Sequence, residues 1–326
     1  MAPPRSKSRF VARMIKGAKS GEMPGFIEPA LATRRNKAPV GEKWVHEVKY
    51  DGWRVQAHLK GGEPTLFTRR GHNWTRQFYP VAADVARLPA NKLILDGEVV
   101  ATDAKGLPSN GALIDDLKPD QVRRLAYFVF DLLFMDGFDL RRAPLIERKR
   151  VLQMLIKEAK PSRIRYSEHI EGDSAAIYRN ACRLQLEGIV SKRKDSPYRA
   201  GRVGAWEKVK CTRRDEFPVI GFVPASGEMI AALHLGRREN RALLYAGKVG
   251  TGFTHDQSRA MRQKLEKFVT IHPAIPKLKK PKARWVKPKF LAEVEYFEIS
   301  KDGSLRHPVL RGFRSARKSG FFPDAA

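Results

Sequence analysis

Glu47-Val-Lys-Tyr-Asp-Gly-Trp-Arg54 places a lysine, Lys49, at the end of one predicted strand and directly before an Asp-Gly turn. From Val55 to Leu59 apolar residues alternate with polar ones, which is the period of a half-buried strand. A lysine attacks phosphorus only when neutral, so burial or neighbouring cations must lower its pKa from about 10.4. The stretch therefore predicts a phosphoryl-transfer site on a hairpin. A surface lysine beside a turn is the alternative for this segment alone.

Four further segments carry the groups that nucleotidyl transfer requires. They lie on or beside predicted strands and supply separated carboxylates, an aromatic ring and lysines: Leu95-Asp-Gly-Glu98, Tyr127-Phe-Val-Phe-Asp131, Glu187-Gly-Ile-Val-Ser-Lys192 and Trp206-Glu-Lys-Val-Lys210. Cations hold the charge of a transferred phosphoryl group, carboxylates bind a divalent metal or a ribose hydroxyl, and an aromatic face stacks on a base. Any one segment has an ordinary structural explanation, whereas the ordered set indicates nucleotidyl transfer.

The pattern of predicted elements indicates two domains. Strands such as Leu93–Val100 and Ala126–Phe134, together with helices such as Leu145–Ala159, predict an α+β domain over residues 23–212. A second helix is expected to open at Asp173-Ser174 and to close at Gly188. Residues 213–326 read as short strands around one helix, His255–Val269. That order favours a small Greek-key barrel of the OB type, with a generic small barrel as the alternative.

The charge balance favours a nucleic-acid partner. The chain has 63 Lys and Arg against 35 Asp and Glu, a formal net charge of +28. Such a surface replaces counterions along a phosphate backbone, and a basic surface that serves only solubility is the alternative. Because the first acidic residue is Glu22, residues 1–22 are expected to form a flexible basic arm on nucleic acid, with a transit peptide or plain disorder as alternatives.

The sequence offers no pattern for a disulfide or for a membrane span. Cys182 and Cys211 lack the paired spacing of a zinc knuckle or a disulfide framework, so we expect two unpaired thiols in a reducing compartment. The longest apolar run, Leu125 to Met135, is broken by Asp131 and is shorter than the roughly 20 residues that a span requires.

The five ordered segments resemble the motifs of the covalent nucleotidyltransferase superfamily, which run Lys-x-Asp-Gly, an acidic strand, an aromatic strand, Glu-Gly-x-Val and Lys-x-Lys. The chain is most similar to the ligase domain of bacterial multidomain end-joining DNA ligases, which are ATP-dependent. Thr68-Arg-Arg-Gly71 and Ala246-Gly-Lys-Val-Gly-Thr-Gly-Phe253 extend the similarity over nearly all of the chain after the basic arm. The resemblance implies a nucleotidyltransferase (adenylation) domain with antiparallel sheets, followed by an OB-fold β-barrel domain.

The resemblance implies that Lys49 attacks ATP and carries AMP as a covalent intermediate. It assigns Lys208 and Lys210 to the α-phosphate, and Arg54 and Arg69 to the nucleotide or the nick phosphate. The implied catalytic residues are thus Lys49, Arg54, Lys208 and Lys210.

Five further residues complete the implied cofactor site. Glu47 contacts the adenine amine and Phe130 stacks on adenine. Glu98 contacts the ribose or a metal, and Glu187 binds the metal, which is Mg²⁺ or Mn²⁺. Lys192 is expected to bind the nucleotide as well.

The resemblance also implies the substrate and the partners. The substrate is duplex DNA with a nick or a break, sealed in DNA repair or end joining in a bacterial cytoplasm, at the nucleoid. Expected partners are an end-bridging protein and separate end-processing enzymes, and the enzyme is expected to be a monomer. An RNA ligase, a capping-type nucleotidyltransferase and a catalytically weak DNA-binding module remain alternatives.

The last motif of the family departs from its pattern here. The family has Arg-x-Asp-Lys, whereas this chain has Arg314-Ser-Ala-Arg317. Arg317 can replace the charge of the lysine, but Ala316 cannot replace the carboxylate. Self-adenylation is therefore the step that we expect to be affected, and sealing of already adenylated DNA should be affected less.

Overall fold

The computed structural model describes residues 7–102, 124–240, 242–300 and 302–316. The chain divides into two compact units, Met1–Cys211 and Thr212–Ala326. Within the described residues, no helix combines the length and the apolar character that crossing a membrane would need.

The first unit contains four described helices and twelve strands. The helices are α1 Lys7–Met14, α2 Tyr79–Val85, α3 Leu145–Ala159 and α4 Ser174–Arg183. The strands are β1 Lys19–Ser20, β2 Thr33–Arg34, β3 Trp44–Val48, β4 Trp53–Lys60, β5 Glu63–Thr68, β6 Lys92–Ala101, β7 Leu125–Met135, β8 Phe138–Asp139, β9 Ile164–Tyr166, β10 His169–Ile170, β11 Gly188–Arg193 and β12 Trp206–Lys210.

Two sheets organise this unit. One has the order β1-β8-β7-β6-β4-β5, with β9 parallel to β7, and the other has the order β10-β3-β11-β12-β2. Strand β7 is buried along its whole length, which explains its unbroken apolar pattern. Its one charged residue, Asp131, is paired at 2.7 Å with the equally buried Arg148 of α3. A buried charge needs such a partner.

The segment around Lys49 connects the two sheets, because β3 belongs to one and β4 to the other. Glycine is required in this connection. A Cβ atom on Gly52 would lie 2.2 Å from the carbonyl oxygen of Val99, so no larger residue fits without moving the backbone of β6. The Asp-Gly pair thus lets β4 start tightly against β6 and leaves Lys49 at the junction of the sheets.

The amino-terminal segment differs from the expected flexible arm. Residues 7–20 include α1 and β1, and Ala12 and Ile15 are buried in the main core. The Ser8 hydroxyl also donates a 2.9 Å hydrogen bond to Glu158 of α3. Because α1 has an apolar face that packs on α3, the segment is held to the domain despite its basic composition. Residues 1–6 lie outside the described part of the chain.

The cysteine expectation was wrong, since Cys182 and Cys211 form a disulfide with Cα atoms 5.3 Å apart. Cys182 lies in α4 and Cys211 follows β12 directly. The two are brought together because α4 packs on the β11–β12 pair through Ala181, Ile189 and Val209. A sequence separation of 29 residues gave no local sign of this contact.

The second unit contains one described helix, α5 His255–Glu266, and seven strands. The strands are β13 Arg213–Pro224, β14 Ile230–Glu239, β15 Ala242–Val249, β16 Val269–Thr270, β17 Arg284–Val286, β18 Phe290–Tyr296 and β19 Val309–Ser315. The long strand β13 pairs with β14, β17 and β18, and β18 pairs with β19. In the part of the chain that the structure describes, these ladders do not close into a complete barrel.

Candidate active site

A cavity of about 200 Å³ opens in the first unit where the two sheets meet. Residues from β3, β4, β6, β7, β11 and β12 line it. Eight of the residues predicted from the sequence are among them: Glu47, Lys49, Arg54, Arg69, Glu98, Phe130, Lys192 and Lys208. The other two lie beside them, because Glu187 is ion-paired with Lys49 and Lys210 is ion-paired with Glu187. The fold therefore gathers all ten predicted residues at one place.

The Lys49 ammonium is paired with Glu187, whose side chain is only 5% exposed. The Lys210 ammonium lies 2.7 Å from the other oxygen of the same carboxylate. Glycine at position 188 lets β11 lie this close to β12, because a Cβ atom there would lie 2.1 Å from the carbonyl oxygen of Val209. The Gly188 carbonyl in turn accepts a 2.9 Å hydrogen bond from the Lys49 backbone. Glu187 thus holds two lysines at once, one of them the predicted nucleophile.

Lys208 adds a third amine to this cluster. Burial lowers its pKa, and the positive charges of Lys49 and Lys210 lower it further. Three amines around one carboxylate leave an excess of positive charge that a phosphate group can neutralise. The cluster is therefore suited to an anion that carries several negative charges, such as a triphosphate.

Glu98 is the carboxylate that faces the cavity from β6. Burial raises its pKa to about 7, while the charges of Arg54 and Lys49 lower it and those of Glu187 and Asp96 raise it. Near neutral pH this carboxyl group is therefore close to half protonated. A ligand that prefers the ionised form, such as a divalent cation, would displace the proton.

The described contacts of Arg54 are with protein groups. Its Nε and Nη2 atoms each lie 2.6 Å from an oxygen of Asp96, and Nη2 also donates to the Ala30 carbonyl at 3.1 Å. Asp96 accepts a further hydrogen bond from the Tyr198 hydroxyl at 2.6 Å. Burial alone would lower the pKa of Arg54, but the Asp96 carboxylate raises it. This arginine is thus a fixed positive charge in the cavity wall, and its contact with a nucleotide stays a prediction.

The other end of the cavity is built from aromatic rings and a buried ion pair. Phe130 and Trp206 pack edge to face with centroids 5.8 Å apart. The Lys192 ammonium lies 4.2 Å from the centroid of each ring and 2.9 Å from Glu47 Oε2. An aromatic surface beside fixed polar groups is suited to a flat heterocyclic base.

Sequence reasoning missed several residues of the site. Tyr50 and Arg202 line the cavity, and Asp96 holds Arg54 in place. Asp96 lies in the acidic strand that the motifs identified, so its position was visible but its role was not. Lys149, which is paired with Glu47 at 2.8 Å, lies on α3 outside every motif, and no sequence signal pointed to it.

The altered last motif lies in the second unit. Arg314, on β19, makes a bidentate ion pair with Glu216 at 2.7 and 2.6 Å. The Ala316 backbone donates to the Lys289 carbonyl at 2.9 Å. Arg317 lies outside the described residues. The effect of this motif on self-adenylation therefore stays a prediction.

Comparison with known proteins gives a consistent family. Residues 29–210 match the family described as "ATP dependent DNA ligase domain", and residues 226–317 match its "ATP dependent DNA ligase C terminal region". These matches confirm the predicted order of a nucleotidyltransferase domain and an OB-fold domain, although the described strands leave the barrel open.

Similar proteins include ligases from bacteria and archaea. The "Multifunctional non-homologous end joining protein LigD" of Pseudomonas aeruginosa is 36% identical over an alignment of 317 residues, which covers 93% of this chain and 37% of that protein. A "DNA ligase" of Aeropyrum pernix is 31% identical over 84% of this chain and 51% of its own length. A solved "mycobacterial DNA ligase D complexed with ATP and MES" has a TM-score of 0.54 and 28% identity, covering 89% of this chain and 95% of that one. The chain thus spans less than half of the LigD proteins that it matches.

Proposed function

Since the chain belongs to the ATP-dependent DNA ligases, we propose that it seals breaks in duplex DNA through an AMP group carried on Lys49. The observation that carries this proposal is the position of Lys49, at the junction of the two sheets, in a cavity with Glu98, Lys208 and the aromatic rings of Phe130 and Trp206. This grouping supports the proposal, because the reaction needs an amine, carboxylates, cations for the phosphates and an aromatic surface for the base.

In the first stage the neutral amine of Lys49 attacks the α-phosphorus of ATP. A phosphorus–nitrogen bond forms, and the bond to the leaving pyrophosphate breaks. Lys49 is paired with Glu187 in the resting protein, so its proton must leave before the attack. A triphosphate bound near Lys208 and Lys210 would compete for the positive charges of this cluster, and the two amines would hold the developing charge on the α-phosphate.

The residues present fit a divalent metal. Mg²⁺ is usually bound by one or two carboxylates together with substrate phosphates and several waters. Among the described residues, no three or more His, Cys, Asp or Glu side chains are grouped so as to hold a metal on their own. We propose that Glu98 and Glu187 hold Mg²⁺, or Mn²⁺ in its place. When bound, the ion would neutralise phosphate oxygens.

The later stages transfer AMP to DNA and close the backbone. An oxygen of the 5′-phosphate attacks the lysyl-AMP phosphorus and releases Lys49, and the 3′-hydroxyl then displaces AMP. The net charge of +28 supports the binding of a polyanionic duplex. The resemblance to LigD supports a role in DNA repair and end joining, with an end-bridging protein and separate end-processing enzymes as partners.

Labelling with ATP tests the first stage. Wild-type protein incubated with α-labelled ATP and magnesium should acquire a covalent label, and Lys49→Ala should abolish it. Lys43→Ala is the matched control, because it removes an exposed lysine just before the same strand. A wild-type protein that acquires no label would contradict the proposed lysyl-AMP intermediate.

Nick sealing tests the substrate. Nicked duplex DNA and a nicked RNA duplex should be offered with ATP or with NAD, and DNA with ATP should be sealed fastest. Faster sealing of RNA, or dependence on NAD, would overturn the assignment. A pre-adenylated DNA nick, sealed without ATP, separates the last stage from the first. If the altered Arg314-Ser-Ala-Arg317 motif weakens self-adenylation, this nick should be sealed faster than an ordinary one.

A further inference from the structure

A buried charge cluster lies behind the base end of the cavity. Lys149 of α3 is fully buried, and its ammonium lies 2.8 Å from Glu47 Oε1. The same group donates a 2.9 Å hydrogen bond to the Ser167 carbonyl and lies 4.6 Å from the centroid of the Tyr166 ring. Lys149 is not among the described residues that line the cavity.

Glu47 is held on both of its oxygens. Oε2 accepts hydrogen bonds from the Lys192 ammonium and from the Ser167 hydroxyl, each at 2.9 Å, while Lys149 lies on Oε1. Burial would raise the pKa of Glu47, but Lys149 and Lys192 lower it, and the net shift is downward. The carboxylate is therefore charged, fixed in orientation and shared between a lysine that lines the cavity and one that does not.

We propose that Lys149 is a positioning residue for nucleotide binding. It fixes Glu47 from behind, and through Glu47 it places the Lys192 ammonium at the base end of the cavity. Lys192 offers only N–H donors. An ammonium at this position can donate to an acceptor nitrogen of the base, such as N1, N3 or N7 of adenine. The inference rests on the proposed ligase function and deepens its first stage.

The proposal has a signature in the pH dependence of ATP binding. The charged groups that face Lys192 are Glu47 on β3, Lys149 on α3 and Asp131 on β7. Burial lowers the pKa of Lys192 to about 8, Glu47 raises it and Lys149 lowers it. In the wild type the positive charge of Lys192, and with it the charge-assisted hydrogen bond to the base, should therefore be lost as the pH rises through about 8. Without the charge of Lys149, that loss should move to higher pH.

The test is self-adenylation by Lys149→Met, which keeps the side-chain length and removes the charge. KM for ATP should rise about tenfold or more, the usual loss for one charge-assisted hydrogen bond. The maximal rate should change less, and the pH above which KM rises should be higher than in the wild type. Arg150→Met is the matched control, because it removes an exposed positive charge next to Lys149 on the same helix.

Two further measurements keep the outcomes distinct. Sealing of a pre-adenylated nick requires no binding of free ATP, so Lys149→Met should slow it less than it slows self-adenylation. Ser167→Ala removes a neutral donor to Glu47. KM for ATP should therefore rise less, and the pH above which KM rises should not change. If Lys149→Met does not fold, an unchanged KM in Ser167→Ala would overturn the proposal. An unchanged KM and an unchanged pH dependence of KM in a folded Lys149→Met would do the same, with ligase function intact. A wild type that acquires no label contradicts the proposed function instead.

Discussion

The ion pair between Arg54 and Asp96 should stabilise the first unit as well as shape its cavity. The side chain of Asp96 is 1% exposed and that of Arg54 is 16% exposed, and two 2.6 Å contacts join them. In Arg54→Met the Asp96 carboxylate keeps its hydrogen bond from the Tyr198 hydroxyl, but it loses its only ion pair among the described residues. Removing one partner of a buried pair costs about 3–5 kcal/mol, because the other charge is left buried.

Urea denaturation followed by tryptophan fluorescence measures this cost. Four of the five tryptophans lie in the first unit, and only Trp285 lies in the second, so the signal reports mainly on the unit that contains the ion pair. For a domain of this size the same cost corresponds to a loss of roughly 10 °C in Tm. Arg87→Met, at an exposed position of the same unit, should change stability by no more than about 0.5 kcal/mol.

The double variant Arg54→Met/Asp96→Asn separates a buried charge from lost packing. It removes both charges, so it should recover a large part of the stability that Arg54→Met loses. Its catalytic activity should not recover, since the positive charge in the cavity wall is still absent. The reasoning is refuted if Arg54→Met is within about 1 kcal/mol of the wild type, because Arg54 would then not be needed to hold Asp96.

Three further predictions concern Glu98, the disulfide and Gly52. Since burial raises the pKa of Glu98 from 4.5 to about 7, the folded protein holds this proton more tightly than the unfolded chain. The stability that the protonated Glu98 contributes to the folded state is therefore lost as the pH rises from 4.5 to about 7. Above pH 7, Glu98→Gln should be more stable in urea by at most about 3 kcal/mol, and it should lose self-adenylation. In the wild type, the magnesium concentration needed for half-maximal labelling should rise as the pH falls below 7, and a flat pH response would contradict this. The Cys182–Cys211 disulfide closes a loop with a sequence separation of 29, so reduction should destabilise the first unit by about 3–4 kcal/mol. The variant with both cysteines changed to serine should be insensitive to reductant. Gly52→Ala should yield little folded protein because its Cβ would lie 2.2 Å from a backbone oxygen, whereas Gly25→Ala, with open space around the added atom, should behave as wild type.

Local signals predicted the regular elements well. The sequence predicted a helix over Leu145–Ala159, which is the observed α3. The helix expected from Ser174 begins there, because the Asp173 side chain accepts a hydrogen bond from the Ala175 backbone at 2.8 Å. It ends at Arg183, earlier than the expected Gly188. The helix beginning at His255 likewise ends at Glu266, since Val269 pairs with Val286 as the start of β16. Helix starts depend on nearby capping groups, whereas these ends depend on distant strands.

The amino-terminal segment and the cysteines show what local signals cannot reveal. A basic composition predicted a free arm, yet Ala12 and Ile15 find an apolar surface on the core. Two cysteines without motif spacing predicted free thiols, yet they meet because α4 covers β11 and β12. In both cases the deciding partner is far along the chain, and only the packing of the whole domain brings it near.

The site itself was predictable to the extent that its chemistry is concentrated in short motifs. The ordered motifs found the groups that would touch a nucleotide, because reactivity at phosphorus demands particular side chains at particular strand ends. They could not find the groups that hold those side chains, since a buried carboxylate can be fixed by a cation from any element that reaches it. Lys149 reaches Glu47 from α3 and Tyr198 reaches Asp96 from the loop before β12. If these supporting contacts set how well the motif residues work, two ligases with identical motifs should differ in ATP affinity according to what lies behind them.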